Sequence, residues 1–234
     1  MKEVVVLSAV RSAVGAFNGT LSSLEPADLG GLVMKEAVAR SGVDPAKINY
    51  VSVGNCIPTE SRSPYVSRVA AINAGLSMES VAVTLNRLCG SGLQAIVSTS
   101  QAIMLGDCDF GVGGGTESMT RGGYLSAAMR NGARMGDTKV IDMMVATLTD
   151  PFGVGHMGIT AENLATKWKI SREEQDAFAL ESQSRAAKAI AEGRFKSQIA
   201  PITISSRKGD IVFDTDEHPK ATSLEALAKM KPAF

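Results

Sequence analysis

Histidine is scarce in this 234-residue chain, which holds only His156 and His218. A catalytic base of the imidazole kind therefore has just those candidates. Cysteine is nearly as rare: Cys56, Cys89 and Cys108 form no CxxC pair, so a structural zinc site is not expected and the thiols fit a reducing cytoplasm. Net charge is missing too, since Lys+Arg and Asp+Glu both count 24 and the pI is near 6.7. No broad basic field is available to hold nucleic acid or an anionic membrane. Long apolar runs are also lacking. Residues 4–7 are too short for a signal-peptide core, and the longest uncharged run, residues 88–106, is interrupted by Ser91, Gln94, Ser98, Thr99, Ser100 and Gln101. It reads as a helix buried in protein rather than a membrane span.

What is present is an ordinary soluble composition, 44% hydrophobic, enough to fill the core of one or two domains. Residues 4–8 form a short β-like run, and a helix follows over residues 26–40 with Gly42 as its stop. Asp44 and Pro45 cap one short turn, residues 50–54 read as a strand, and residues 65–74 as a helix ended by Gly75. Residues 81–85 are β-branched and apolar, residues 92–106 are helical, and residues 110–112 return to strand. This alternation predicts an α/β layered domain with a largely parallel sheet. Gly113-Gly114-Gly115 follows that strand without a P-loop or GxGxxG pattern, so close packing beneath Cys89 is expected instead of phosphate binding.

From Thr116 the regular pattern gives way to Gly122, Gly123, Gly132 and Gly136 with Met119, Met129, Met135, Met143 and Met144. An inserted lobe is expected there, its methionines serving as adaptable core or contact surface. Ser171 and Glu174 make a capping box for a helix through Glu192, stopped by Gly193. Residues 202–205 and 211–213 flank Arg207-Lys208-Gly209-Asp210 as a hairpin, and Thr222 with Glu225 makes a last capping box.

Cys89 falls between the strand at 81–85 and the helix that follows it, beyond the C-terminal end of a strand, where α/β sheets carry their active sites. Backbone N–H groups and the positive end of the helix dipole favour a thiolate there, each unit of pKa depression being worth about 1.36 kcal/mol. An inert buried thiol is the competing reading. His156 lies in Gly153-Val154-Gly155-His156-Met157-Gly158, a tight loop able to present imidazole and thioether to a ligand. His218 lies in a polar turn and is expected to face solvent. Composition alone nominates Cys89 and His156 as a dyad.

The segment Asn86-Arg87-Leu88-Cys89-Gly90-Ser91-Gly92 resembles the nucleophile motif of thiolases, the acetyl-CoA C-acyltransferases. Further stretches are similar to family segments in the same order. They are Ser8-Ala9-Val10-Arg11-Ser12-Ala13-Val14-Gly15, Gly113-Gly114-Gly115-Thr116-Glu117-Ser118-Met119, Gly155-His156-Met157-Gly158-Ile159-Thr160-Ala161-Glu162, Ser171-Arg172-Glu173-Glu174-Gln175-Asp176 and Lys231-Pro232-Ala233-Phe234. The resemblance implies a thiolase-like layered fold: a mostly parallel, five-stranded-type sheet around a buried nucleophile helix over residues 1–118, with an inserted loop domain over 119–234. It implies that Cys89 accepts an acyl group from acyl-CoA as a thioester, its backbone N–H also donating to an oxyanion hole. A second acetyl-CoA then attacks as a carbanion to give a 3-ketoacyl-CoA, or CoA cleaves that product in reverse. Acyl-CoA and CoA are substrates, and no permanently bound cofactor is implied. Leu148, His156 and Met157 resemble the loop that contacts pantetheine and the acyl chain, and Lys220 resembles a basic contact to the adenosine end. His156 thereby becomes a substrate-loop residue, against the dyad.

Family segments of the Asn-Glu-Ala-Phe, Gly-His-Pro and Cys-Gly-Gly kind, which carry the base and the acid/base thiol, do not occur in this sequence. The chain is thus expected to be a truncated thiolase with the sheet's last strand and the C-terminal domain absent. Little turnover and self-association through an uncovered apolar face follow from that. The alternatives are a non-catalytic acyl-CoA-binding or assembly module and, from the lone Cys and His, a generic cysteine hydrolase.

Overall fold

Two valines and a glycine explain how the central strand is held. In β1 (Tyr50–Gly54), Val51 and Val53 point to one face and are buried with Met34, Val38, Ala70, Ala71, Ala74 and Leu76. Alternation along a strand sends Ser52 and Gly54 to the other face. The first face is covered by α1 (Pro26–Ser41) and α2 (Val66–Asn73), and each fully buried valine there contributes about 1.5–3 kcal/mol. Gly42 stops α1 with φ +70°, a left-handed conformation that suits glycine. The computed structural model describes residues 2–207 and 209–234; Met1 and Lys208, the latter expected in the hairpin turn, lie outside the described residues.

β2 (Val81–Leu85) and β3 (Gly111–Gly115) flank β1 in the order β2-β1-β3, both parallel to it, with Tyr50 opposite Val81 and Gly111. Parallel pairing with helical crossovers is the α/β architecture that the alternation predicts. The second face carries α3 (Ser91–Leu105), which buries Ser91, Ala95, Thr99 and Ala102. β3 is where close approach is needed. A Cβ on Gly113 would lie 2.8 Å from the Ile96 Cα, and one on Gly115 would lie 3.1 Å from the Gly92 Cα. The glycines thus pack under the Cys89 helix as expected, but they form the strand itself and do not follow it.

Three expectations are corrected. The sheet has three strands among the described residues, because residues 4–8 pair with no neighbour and leave Val5, Val6 and Leu7 exposed. A strand needs a hydrogen-bonding partner, and here a cavity of about 1230 Å³ separates this segment from β3. The α3 helix is not buried in protein: Leu93 is 69% and Leu105 78% exposed, because only one helix face meets the sheet. The last cap is Ser223, whose hydroxyl accepts from the Ala226 N–H, instead of Thr222.

Beyond β3 the elements are short. β4 (Tyr124–Leu125) pairs with β5 (Ile141–Asp142), which leads into α4 (Met143–Thr147), and β6 (Thr149–Asp150) pairs with β7 (Gly155–His156). Then come α5 (Met157–Trp168), α6 (Arg172–Ala191) with its Ser171–Glu174 capping box, the hairpin β8 (Ile202–Ser206) and β9 (Gly209–Phe213), and α7 (Leu224–Ala228).

The strap after β9 clamps the opening loop. Arg11 donates to both oxygens of Asp216 at 2.7 and 3.0 Å, and the Val14 N–H donates to the same carboxylate at 2.7 Å. Glu217 accepts from the Ala16 N–H at 2.8 Å and from the Thr20 hydroxyl and N–H. The Arg11 guanidinium holds Asp216 below the usual carboxylate range, and the Thr20 hydroxyl does the same for Glu217. Carboxylates depressed on folding contribute stability above their unfolded pKa values and lose it as pH falls through the folded ones. Hydrogen-exchange protection of the Val14, Ala16 and Thr20 amides should therefore fall below about pH 4 before that of Val51 and Val53. Equal protection at acid and neutral pH would rule the clamp out.

Candidate active site

The C-terminal ends of the parallel strands are stitched together by side chains of the residues that follow them. After β1, the Asn55 N–H donates to the Leu85 carbonyl at 3.1 Å, and its side-chain amide donates to the Thr116 carbonyl at 2.9 Å. After β3, the Glu117 carboxylate accepts from the backbone N–H groups of Cys56 at 2.7 Å and Ile57 at 3.1 Å. After β2, the Asn86 amide donates to the Cys56 carbonyl at 3.0 Å. These contacts join residues far apart in sequence into one rim.

Cys89 stands on that rim, exposed, one residue ahead of Gly90, the N-cap of α3. Leu88 before it has φ +50°, a left-handed value rarely adopted by a branched side chain, and its N–H donates to the Asn86 side-chain oxygen at 2.8 Å. Ser91 opens the helix and is 4% exposed; its hydroxyl accepts from the Arg87 N–H at 2.8 Å and donates to the Leu88 carbonyl at 2.7 Å. Gly54 makes room for it, since a Cβ there would lie 2.5 Å from the Ser91 carbonyl carbon. The turn therefore presents the thiol to solvent beside the first turn of a helix, open to a ligand arriving from outside. The reading of Cys89 as an inert buried thiol is not sustained.

Beside it, the Cys56 thiol lies 2.8 Å from the Leu88 carbonyl and 3.5 Å from the Ser91 hydroxyl. Burial pushes the Cys56 thiol up from its ordinary pKa, and nearby Glu117 adds to the shift. Cys56, Asn55, Asn86 and Glu117 were not singled out from sequence, although Asn86 and Glu117 lie inside the quoted motifs.

Leu148, His156 and Met157 come together in the structure. The β6–β7 pair sets Thr149 opposite His156, and the Met157 N–H donates to the Leu148 carbonyl at 2.8 Å. The His156 Nδ1 accepts from the Gly158 N–H at 3.1 Å, capping α5, and its ring stacks on Phe234 with centroids 4.7 Å apart. Gly158 has no side chain to collide with the Phe234 ring. Phe234 is thus a further member of this cluster that sequence reasoning did not assign to the site. Met157 remains 45% exposed, available to a ligand. Lys220 lies apart from these residues: its N–H donates to the Gln183 side chain of α6 at 2.9 Å, and the residue is exposed. His218 is exposed on the same strap, as expected. No group of metal-ligating side chains is found among the described residues.

A family profile described as "Thiolase, N-terminal domain" matches residues 4–234. The chain belongs to the thiolase family. The beta-ketothiolase BktB of Cupriavidus necator is 52% identical over 234 residues, spanning 100% of this chain and 59% of that protein. An acetyl-CoA acetyltransferase of Syntrophomonas wolfei is 47% identical, with the same shares covered. Among solved structures, the Bacillus anthracis acetyl-CoA acetyltransferase superposes with a TM-score of 0.93 at 42% identity, covering 98% of this chain and 58% of the other. Human mitochondrial 3-ketoacyl-CoA thiolase gives 0.94 at 38% identity, again over 98% and 58%. This thiolase chain thus spans about three-fifths of the length of relatives it matches, with the thiolase fold throughout.

Proposed function

We propose that Cys89 is the acyl-accepting nucleophile of a thiolase that forms or cleaves 3-ketoacyl-CoA. The exposed thiol at the end of β2, on a turn whose neighbours are all held, carries this reading. In the acylation step the Cys89 sulfur bonds to the thioester carbonyl carbon, and negative charge collects on the oxygen. The carbon–sulfur bond to CoA then breaks, and the CoA thiolate leaves and takes up a proton in place of the one the Cys89 thiol gave up. A backbone N–H directed at that oxygen is worth roughly 2.7–4 kcal/mol in the transition state. Leu148, His156, Met157 and Phe234 form the wall that receives pantetheine and acyl chain, and Lys220 meets the adenosine end. Residues 1–118 form the layered domain and 119–234 the loop domain in this scheme. Three free cysteines suit a reducing cytoplasm.

In this reading the Cys89 turn supplies the nucleophile, and the base belongs to family segments that lie outside these 234 residues. The test is acetoacetyl-CoA thiolysis by this chain and by a chimera continued with the remainder of the Cupriavidus necator relative. The chimera should turn over and the chain alone should be at least about 100-fold slower, the usual worth of general acid–base catalysis. Equal rates would refute the division of labour, and an inactive, folded chimera would refute the assignment. Stoichiometric binding of acyl-CoA by a chimera that never acylates Cys89 would favour a non-catalytic acyl-CoA-binding module instead.

A further inference from the structure

We propose that Ser91 and Cys56 are positioning residues that aim the Cys89 backbone N–H at the oxygen of the incoming acyl group, an inference that rests on the acyl-transfer reading of Cys89. The Leu88 carbonyl and the Cys89 N–H belong to one planar trans peptide and point in opposite directions. Whatever holds the carbonyl therefore fixes the line along which the N–H donates. Donors converge on that carbonyl from different elements: the Ser91 hydroxyl at 2.7 Å, the Ser91 N–H at 3.0 Å, and the Cys56 thiol at 2.8 Å.

Each donor is itself held. The Ser91 hydroxyl accepts from the Arg87 N–H, which uses its lone pair and turns its proton toward Leu88. Cys56 is fixed from both sides, its N–H on Glu117 and its carbonyl on Asn86. Burial raises the pKa of the Cys56 thiol, which favours the protonated form that can donate to the Leu88 carbonyl. Asn86 closes the loop by accepting from the Leu88 N–H, and the left-handed φ of Leu88 is the conformation this set of bonds imposes. Neither Ser91 nor Cys56 touches substrate in this scheme; both act through the Leu88–Cys89 peptide.

Paired reactions at the same sulfur separate this role from a structural one. Acetylation by p-nitrophenyl acetate forms the sulfur–carbonyl bond through an oxyanion and expels p-nitrophenolate. Alkylation by iodoacetamide displaces iodide with no oxyanion. Peptide mapping of the intact chain reports both at Cys89. Ser91→Ala should slow acetylation about tenfold or more, while alkylation stays within about twofold, because only the first reaction needs the aimed donor. Cys56→Val should shift the ratio the same way by a smaller factor, and Cys56→Ser, which keeps a hydroxyl donor, should restore it. If Ser91→Ala fails to fold, the Cys56 pair decides alone. Equal loss of both reactions, or no change in either, would overturn the positioning role. If the variants show the predicted ratios but the wild-type chain takes no acetyl group from acetyl-CoA, the reading of Cys89 as acceptor from acyl-CoA falls and the positioning role stands.

Discussion

Gly54→Ala should destabilise the chain by about 3 kcal/mol, the upper part of the range for overpacking, and should disturb Cys89 as well. The added Cβ would lie 2.5, 2.6 and 2.7 Å from the carbonyl carbon, Cβ and carbonyl oxygen of Ser91. Two of those atoms are backbone at the first residue of α3, so no side-chain rotation relieves the overlap, and the helix start must move. Gly114→Ala is the control. It lies in the neighbouring strand, and a Cβ there meets nothing within 4 Å. Its cost should stay below about 1 kcal/mol, since replacing glycine in a strand also lowers the entropy of the unfolded chain. Denaturant midpoints measure both. Similar midpoints for the two variants would show that α3 does not press on β1 as described.

The chain should self-associate at micromolar concentration. The outer face of α3 leaves Leu93, Ile96 and Val97 exposed, and β2, an edge strand among the described residues, exposes Val81 and Val83. Exposed apolar surface on this scale, beside an unpaired strand edge, favours association. Sedimentation should report a dimer or larger species, and Leu93→Lys combined with Val97→Lys should shift it toward monomer. A compact wild-type monomer at that concentration would contradict the expectation.

Local chemistry was legible where one segment decides the outcome. Gly42 ended α1, Asp44 capped the turn at Pro45, and the Ser171–Glu174 box opened α6 because these are interactions within a few residues. Cys89 was legible for the same reason, as a thiol between strand and helix inside a specific motif. Non-local requirements were not legible. Residues 4–8 have a strand's composition, yet composition does not supply a pairing partner. The close packing of the β3 glycines beneath Cys89 was legible, but their place inside the strand was not, because glycine is a poor strand former and only the approach of Ile96 and Gly92 requires it there. The rim of Asn55, Cys56, Asn86 and Glu117 joins the ends of three strands, and nothing in any one segment announces it. Phe234 reaches His156 across more of the chain still.

The central claim, that Cys89 is placed to accept an acyl group, is tested most directly by peptide mapping after incubation with acetyl-CoA. A pH of about 9, above the ordinary cysteine pKa, favours thiolate without a base. One acetyl group should appear on Cys89, with Cys56 and Cys108 unmodified, and Cys89 should become resistant to iodoacetamide in proportion. No acetyl group on Cys89, or one spread evenly over the three thiols, would contradict the account.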